Sequence, residues 1–190
     1  MKKIQIEDTI YVADTDFRVA IECNRIAQDN TINDIERVMG IICTMFGEHG
    51  LDNVNHYEKL FKWIINYLSN GEEINNNEEP DMDYIKDMDY IETSFMSDYG
   101  IDLTTTKMEW KKFYNLMNGL SNSELGNCCV LNRVRNLRNF DESKIEDAKE
   151  RKKISDAKKR VALNKQEQQL TKEQEESMNR LNNIIFRKEW

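Results

Sequence analysis

Apolar residues recur at helical spacing through most of this chain, and strict alternation is confined to its first dozen positions. Ile4-Gln5-Ile6 and Ile10-Tyr11-Val12 read as extended segments, a small hairpin at most. Thr15 or Asp16 is suited to cap a helix with Phe17, Ala20 or Ile21, Asn24 and Ala27 along one face. Asn30-Thr31 opens a second helix, with Ile35, Val38-Met39, Ile42 and Met45-Phe46 on its apolar side, and Gly47 stops it. A third helix, from Asn53 or Asn55, carries a clear three–four repeat: Tyr57, Leu60-Phe61, Ile64-Ile65 and Leu68. Asn70-Gly71 ends it. Residues 69–80, SNGEEINNNEEP, are polar, close on the single proline, and read as a mobile linker.

Periodicity is densest from Asp81 to Leu120. Tyr84, Met88, Ile91, Phe95 and Tyr99 form an amphipathic stripe, with Asp81 and Asp83 at its start, where the helix dipole favours carboxylates. Gly100 supplies the positive φ that ends such a helix. Thr104 to Thr106 can cap the next, with Trp110, Phe113, Met117 and Leu120 on a face. Ser121 or Ser123 then starts another through Leu125, Cys128-Cys129, Val130, Val134 and Leu137. From Arg138 to Ser177 charge dominates, and one or two long exposed helices are predicted. Met178, Leu181, Ile184-Ile185, Phe186 and Trp190 then return as an apolar end. The expected fold is all-α, with about six helices in an irregular domain over 1–137 and a short N-terminal hairpin at most. A charged helical extension over 138–190 follows.

Composition supports long helices, since one proline and seven glycines leave few breakers. The net charge of −8 is unevenly spread. Residues 1–71 hold 7 basic and 11 acidic residues, 72–110 hold 2 and 12, and 111–190 hold 18 and 12. An acidic middle and a basic tail can steer a partner or attract each other. No apolar run follows the basic Met1-Lys2-Lys3 start, and none approaches the roughly 20 residues of a membrane span. A cytoplasmic protein is expected, with Cys23, Cys43, Cys128 and Cys129 as reduced thiols.

Candidate chemistry is sparse. Asp81-Met82-Asp83-Tyr84 repeats as Asp87-Met88-Asp89-Tyr90, like half of a calcium loop. The third ligand position is isoleucine in both copies, so a solvated acidic helix start is the better reading. His49 and His56 lie seven apart, near Glu48, Asp52 and Glu58, a spacing that matches no usual zinc site. Cys128-Cys129 lacks Cys-x-x-Cys spacing, and one of the two is expected to face the core. No phosphate loop or nucleophile motif is present. No enzyme, cofactor or metal is therefore expected. Arg133, Arg135 and Arg138, with Arg151-Lys152-Lys153 and Lys158-Lys159-Arg160, make a basic surface over 133–160. It supports an alternative reading as a nucleic-acid-binding regulator, against which stand its interleaved acids and shortage of aromatics.

One ordered set of residues points further: Asp89-Tyr90-Ile91, Ser94-Phe95, Asp98-Tyr99-Gly100-Ile101-Asp102-Leu103, Trp110, Phe113 and Leu116-Met117-Asn118-Gly119-Leu120. With Val134-Arg135 and the early Thr15-Asp16-Phe17-Arg18, it resembles a family of tailed-bacteriophage proteins, the gene-product-fifteen family. These are encoded between the major tail protein and the tape-measure protein in phages of low-GC Gram-positive bacteria. The likeness covers about 1–140. Residues 164–190 extend beyond the family, and Cys128-Cys129-Val130 stands where it has plainer aliphatics. The resemblance implies a helical, non-enzymatic tail assembly chaperone acting in the host cytoplasm and absent from the mature virion. Its implied partners are the tape-measure protein and the major tail protein, with neither membrane nor nucleic acid among them. The signature residues Phe95, Tyr99, Gly100, Asp102, Leu103, Trp110, Phe113 and Leu120 are read as structural, marking a helix–turn–helix hairpin.

Overall fold

A computed structural model describes residues 1–71, 80–122 and 128–163. They form a two-stranded antiparallel hairpin and seven α-helices, so the chain is mostly helical. The described residues gather into two compact units. Residues 1–71 and 108–113 make the first, and 80–107, 114–122 and 128–163 make the second.

In the first unit, β1 (Lys2–Ile6) pairs with β2 (Thr9–Ala13) in the register Lys2↔Ala13 to Ile6↔Thr9. Alternation sends Ile6, Tyr11 and Ala13 inward and leaves Ile10 and Val12 exposed. The turn is Glu7-Asp8, and Glu7 takes a φ of 55°, a region that ordinarily favours glycine. Its side chain is held by Lys59 Nζ at 3.0 Å and His56 Nε2 at 3.3 Å. His56 is buried, with Nδ1 2.8 Å from the Tyr11 hydroxyl. A carboxylate can only accept, so Nε2 donates to Glu7, while Nδ1 faces the Tyr11 hydroxyl. The hairpin is thereby tied by polar contacts as well as by packing.

Helix α1 (Phe17–Gln28) is capped by Asp16, whose carboxylate accepts the Arg18 N–H. It buries Phe17, Ala20 and Cys23. Helix α2 (Asp34–Phe46) begins after Asn33 rather than after Asn30-Thr31. Glu36 stands three residues past Asn33 and completes a capping box, whereas Thr31 turns back to donate to Asp29. Ile35 consequently falls on the outer side and is 73% exposed. Helix α3 (Tyr57–Leu68) follows a 3₁₀ turn capped by Asn53 and buries Leu60, Phe61, Ile64 and Tyr67. Asn70 and Gly71 both take positive φ, and their amides close on Tyr67 and Asn66, a Schellman ending.

Helix α4 (Met88–Tyr99) starts later than the stripe from Tyr84 suggests. The Asp83 carboxylate accepts from the amides of Ile85 and Lys86 and closes a separate turn first. Helix α5 (Trp110–Asn118) begins in the first unit and continues into the second. Thr104 to Thr106 do not cap it. Asp102 caps a turn through Thr104, and Glu109 pairs with Asp16 in an isolated antiparallel bridge before the helix begins. Helix α6 (Val130–Asn139) is capped by the Cys129 thiol, not by a serine near 121. Ser121 gives its amide to Asp98, and its carbonyl accepts from Cys129 N–H. Ser123 and Leu125 lie outside the described residues.

Helix α6 runs on past 137/138, and Asp147 caps α7 (Ala148–Val161), which buries no residue fully. The expected extension is described only to residue 163. Its apolar end from Met178 to Trp190, and residues 72–79 of the expected linker, lie outside the described residues. Among the described residues no helix is long and apolar enough to cross a membrane.

Candidate functional site

The signature stretch is built into both units. In the second, Phe95 is fully buried on α4, and Leu103 and Leu120 are buried beside the turns that end α4 and α5. The Tyr99 hydroxyl donates to the Leu116 carbonyl at 2.9 Å, and burial raises its pKa. Gly119 permits that approach, because an added Cβ would stand 2.9 Å from the Tyr99 oxygen. Asp102 accepts from the hydroxyl and amide of Thr104, which lowers its pKa. In the first unit, Trp110 donates from Nε1 to the Leu68 carbonyl at 3.0 Å, and Phe113 stacks on Phe17 with centroids 4.6 Å apart. Each signature side chain is occupied in packing or in holding a turn.

Gly100 ends α4 at a φ of 64°, with its amide on the Met96 carbonyl. An added Cβ would meet nothing within 4 Å, so a substitution is opposed by backbone conformation alone. Gly100→Ala is expected to cost about 1–2 kcal/mol in urea unfolding, and β-branched Gly100→Val more. A loss of only a few tenths would mean that the turn relaxes without strain.

Beside this stretch the second unit opens a groove of about 560 Å³, lined by Ser97, Asp98, Tyr99, Gly119, Ser121, Cys128, Cys129, Val130 and Arg133. The Ser121 amide, 2.8 Å away, holds the Asp98 carboxyl below its ordinary pKa. Burial pushes the Cys128 thiol up, which keeps it neutral and a poor nucleophile. Asn132, buried next to the groove residue Arg133 in sequence, donates from Nδ2 to the carbonyls of Leu120 and Ser121 and so fixes the start of α6. Its place in a polar helix gave no sequence signal. The groove offers a cation, a carboxylate and hydroxyls around a tyrosine edge, a mixed and mainly polar surface.

The family model described as Bacteriophage Gp15 protein matches residues 1–163. The chain belongs to that family. No curated protein and no solved structure matches it. The match runs past the expected limit near 140 and ends where the sequence was read as departing from the family.

The other candidate residues of this Gp15 chain are drawn into its architecture. Asp81 pairs with Arg135 at 3.1 Å, and Asp87 forms a two-pronged pair with Arg138 at 2.7 Å. Asp83 holds a turn, and Asp89 is exposed. His49 lies against Asp52 at 2.6 Å, apart from the role His56 plays under the hairpin. Among the described residues no three His, Cys, Asp or Glu side chains gather as a metal site would require. All four cysteines are free, and burial pushes the Cys23 thiol up to about 12. The basic surface over 133–160 does not act as one piece. Arg135 and Arg138 face aspartates, Arg151 donates to the Ile145 carbonyl, and Lys158 donates to the Phe140 carbonyl.

Proposed function

We propose that this Gp15 protein is a tail assembly chaperone-like protein. It binds the tape-measure protein, the major tail protein or both in the host cytoplasm, without catalysis, and is left out of the mature virion. Membership of the bacteriophage Gp15 family over 1–163 is the observation that carries this reading. The physics is compatible. A tape-measure protein exposes apolar helical stripes before the tube closes around it, and a helical protein can cover them with a groove or a face. The net charge of −8 helps to keep such a complex dispersed. Ile85 and Met96, exposed at 40% and 50% along the approach to α4 and on α4 itself, are apolar contacts available in the second unit.

Co-expression tests this directly. A tape-measure protein from the same phage is expected to move from the pellet to the soluble fraction and to be retained on a tagged copy of this chain.

A further inference from the structure

We propose that the outward face of α7 is a sequence-independent binding surface for nucleic-acid phosphates. The proposal is independent of the tail assembly reading. Helix α7 carries seven Lys and Arg residues against two acids, Glu150 and Asp156. Ile154, Ala157, Lys158 and Val161 are half-buried on one side. Lys149, Lys152, Lys153, Asp156, Lys159 and Arg160 are all exposed. At about 100° per residue these six fall within about 120° of the helix circumference, opposite the half-buried side. Five cations and one carboxylate therefore share one stripe.

Pairing leaves most of that charge available. Lys159 lies 3.9 Å from Asp156. Among the described residues, Lys149, Lys152, Lys153 and Arg160 have no ion-pair partner. The contrast with α6 is sharp, because Arg135 and Arg138 there are taken up by aspartates.

The chemistry of the stripe selects the class of partner. The centre of a protein–protein interface needs apolar or aromatic anchors and is poor in lysine. This stripe has no apolar side chain at all. Phosphates require only cations, and duplex DNA presents one charge per roughly 1.7 Å of its axis. Lys149 to Arg160 spans about 16 Å of helix, long enough to meet several phosphates at once. No aromatic residue is present to stack on a base, and no Asn or Gln to read a base edge, so contact is with the backbone alone. The overall negative charge opposes approach, but beyond about 8 Å it is largely screened at physiological salt.

The test is fluorescence anisotropy of a fluorescein-labelled random-sequence DNA duplex titrated with the full chain at several NaCl concentrations. Four unpaired cations predict a slope of log K against log salt near −3.6, a loss of roughly 150-fold between 50 and 200 mM. The quadruple variant K149Q/K152Q/K153Q/R160Q is expected to lose binding, and the matching arginine variant K149R/K152R/K153R to keep it. Circular dichroism melting of both variants reports that the fold is intact, and every substituted side chain is exposed. Absence of binding at 50 mM NaCl overturns the proposal. So does a folded glutamine variant that binds like wild type. Tighter binding to poly-L-glutamate than to DNA at equal charge also overturns it and identifies an acidic protein as the partner.

Discussion

Arg138→Ala is expected to destabilise the protein by about 3–5 kcal/mol, because it leaves a buried carboxylate without its counter-charge. Asp87 is 1% exposed and receives both prongs of the guanidinium at 2.7 Å. Its other side-chain contact is the Asp83 amide at 3.0 Å. Arg138 also donates to the carbonyls of Asp81 and Val161, so three stretches of the second unit converge on one side chain. Arg138→Lys keeps the charge but not the planar fork, and should recover only part of the loss. The paired replacement Asp87→Leu with Arg138→Met removes both charges and should cost less than Arg138→Ala alone. Equilibrium urea denaturation of the single and paired variants measures this as a double-mutant cycle. A loss below about 1 kcal/mol for Arg138→Ala would mean that water reaches Asp87 and that the pair behaves as a surface one.

Phe113→Ala should be of similar size, about 3–5 kcal/mol, for a different reason. Its ring has no exposed surface, lies nearly parallel to Phe17 at an interplanar angle of 10°, and stacks on Trp110 with centroids 5.7 Å apart. Truncation leaves a cavity between two rings that the backbone holds in place. The Phe17 amide donates to the Met108 carbonyl and the Trp110 amide to the Thr15 carbonyl, both at 2.9 Å. The walls are therefore poorly able to collapse, and Phe113→Leu should cost clearly less than Phe113→Ala. Thermal and urea unfolding read both variants. Equal losses for the two would show that ring stacking, not cavity volume, sets the cost.

Helix identity was legible in the sequence wherever the apolar repeat is local. Leu60, Phe61 and Ile64 are buried as their spacing implies, and Asp16, Gly47, Asn70 and Gly100 bound helices by local backbone chemistry. Starts fixed by distant partners were not legible. Helix α5 begins where Glu109 bridges to Asp16, more than ninety positions away, and no residue near Thr104 announces it. Asn33 displaced Asn30 as a cap because of Glu36, a signal that is local but competes with several other good caps.

The acidic repeat shows the same limit for function. Asp81 and Asp87 look alike in sequence, yet one sits in a half-exposed pair and the other in a buried one. Charge counts along the chain do not reveal that Arg135 and Arg138 answer them. Family resemblance was legible because its residues are those that build turns and cores: Gly100, Gly119, Tyr99 and Phe113 each have a physical role in this fold. A structural signature of that kind identifies relatives without locating the surface that meets a partner.

The proposed chaperone role is tested most directly by co-expressing tagged protein with the tape-measure protein of the same phage and measuring how much of the latter co-purifies from the soluble fraction. The account predicts a stable soluble complex that forms with wild type and is retained by Gly100→Ala, whose folded population remains large. A tape-measure protein that stays insoluble, with none recovered on the tagged chain, would contradict it.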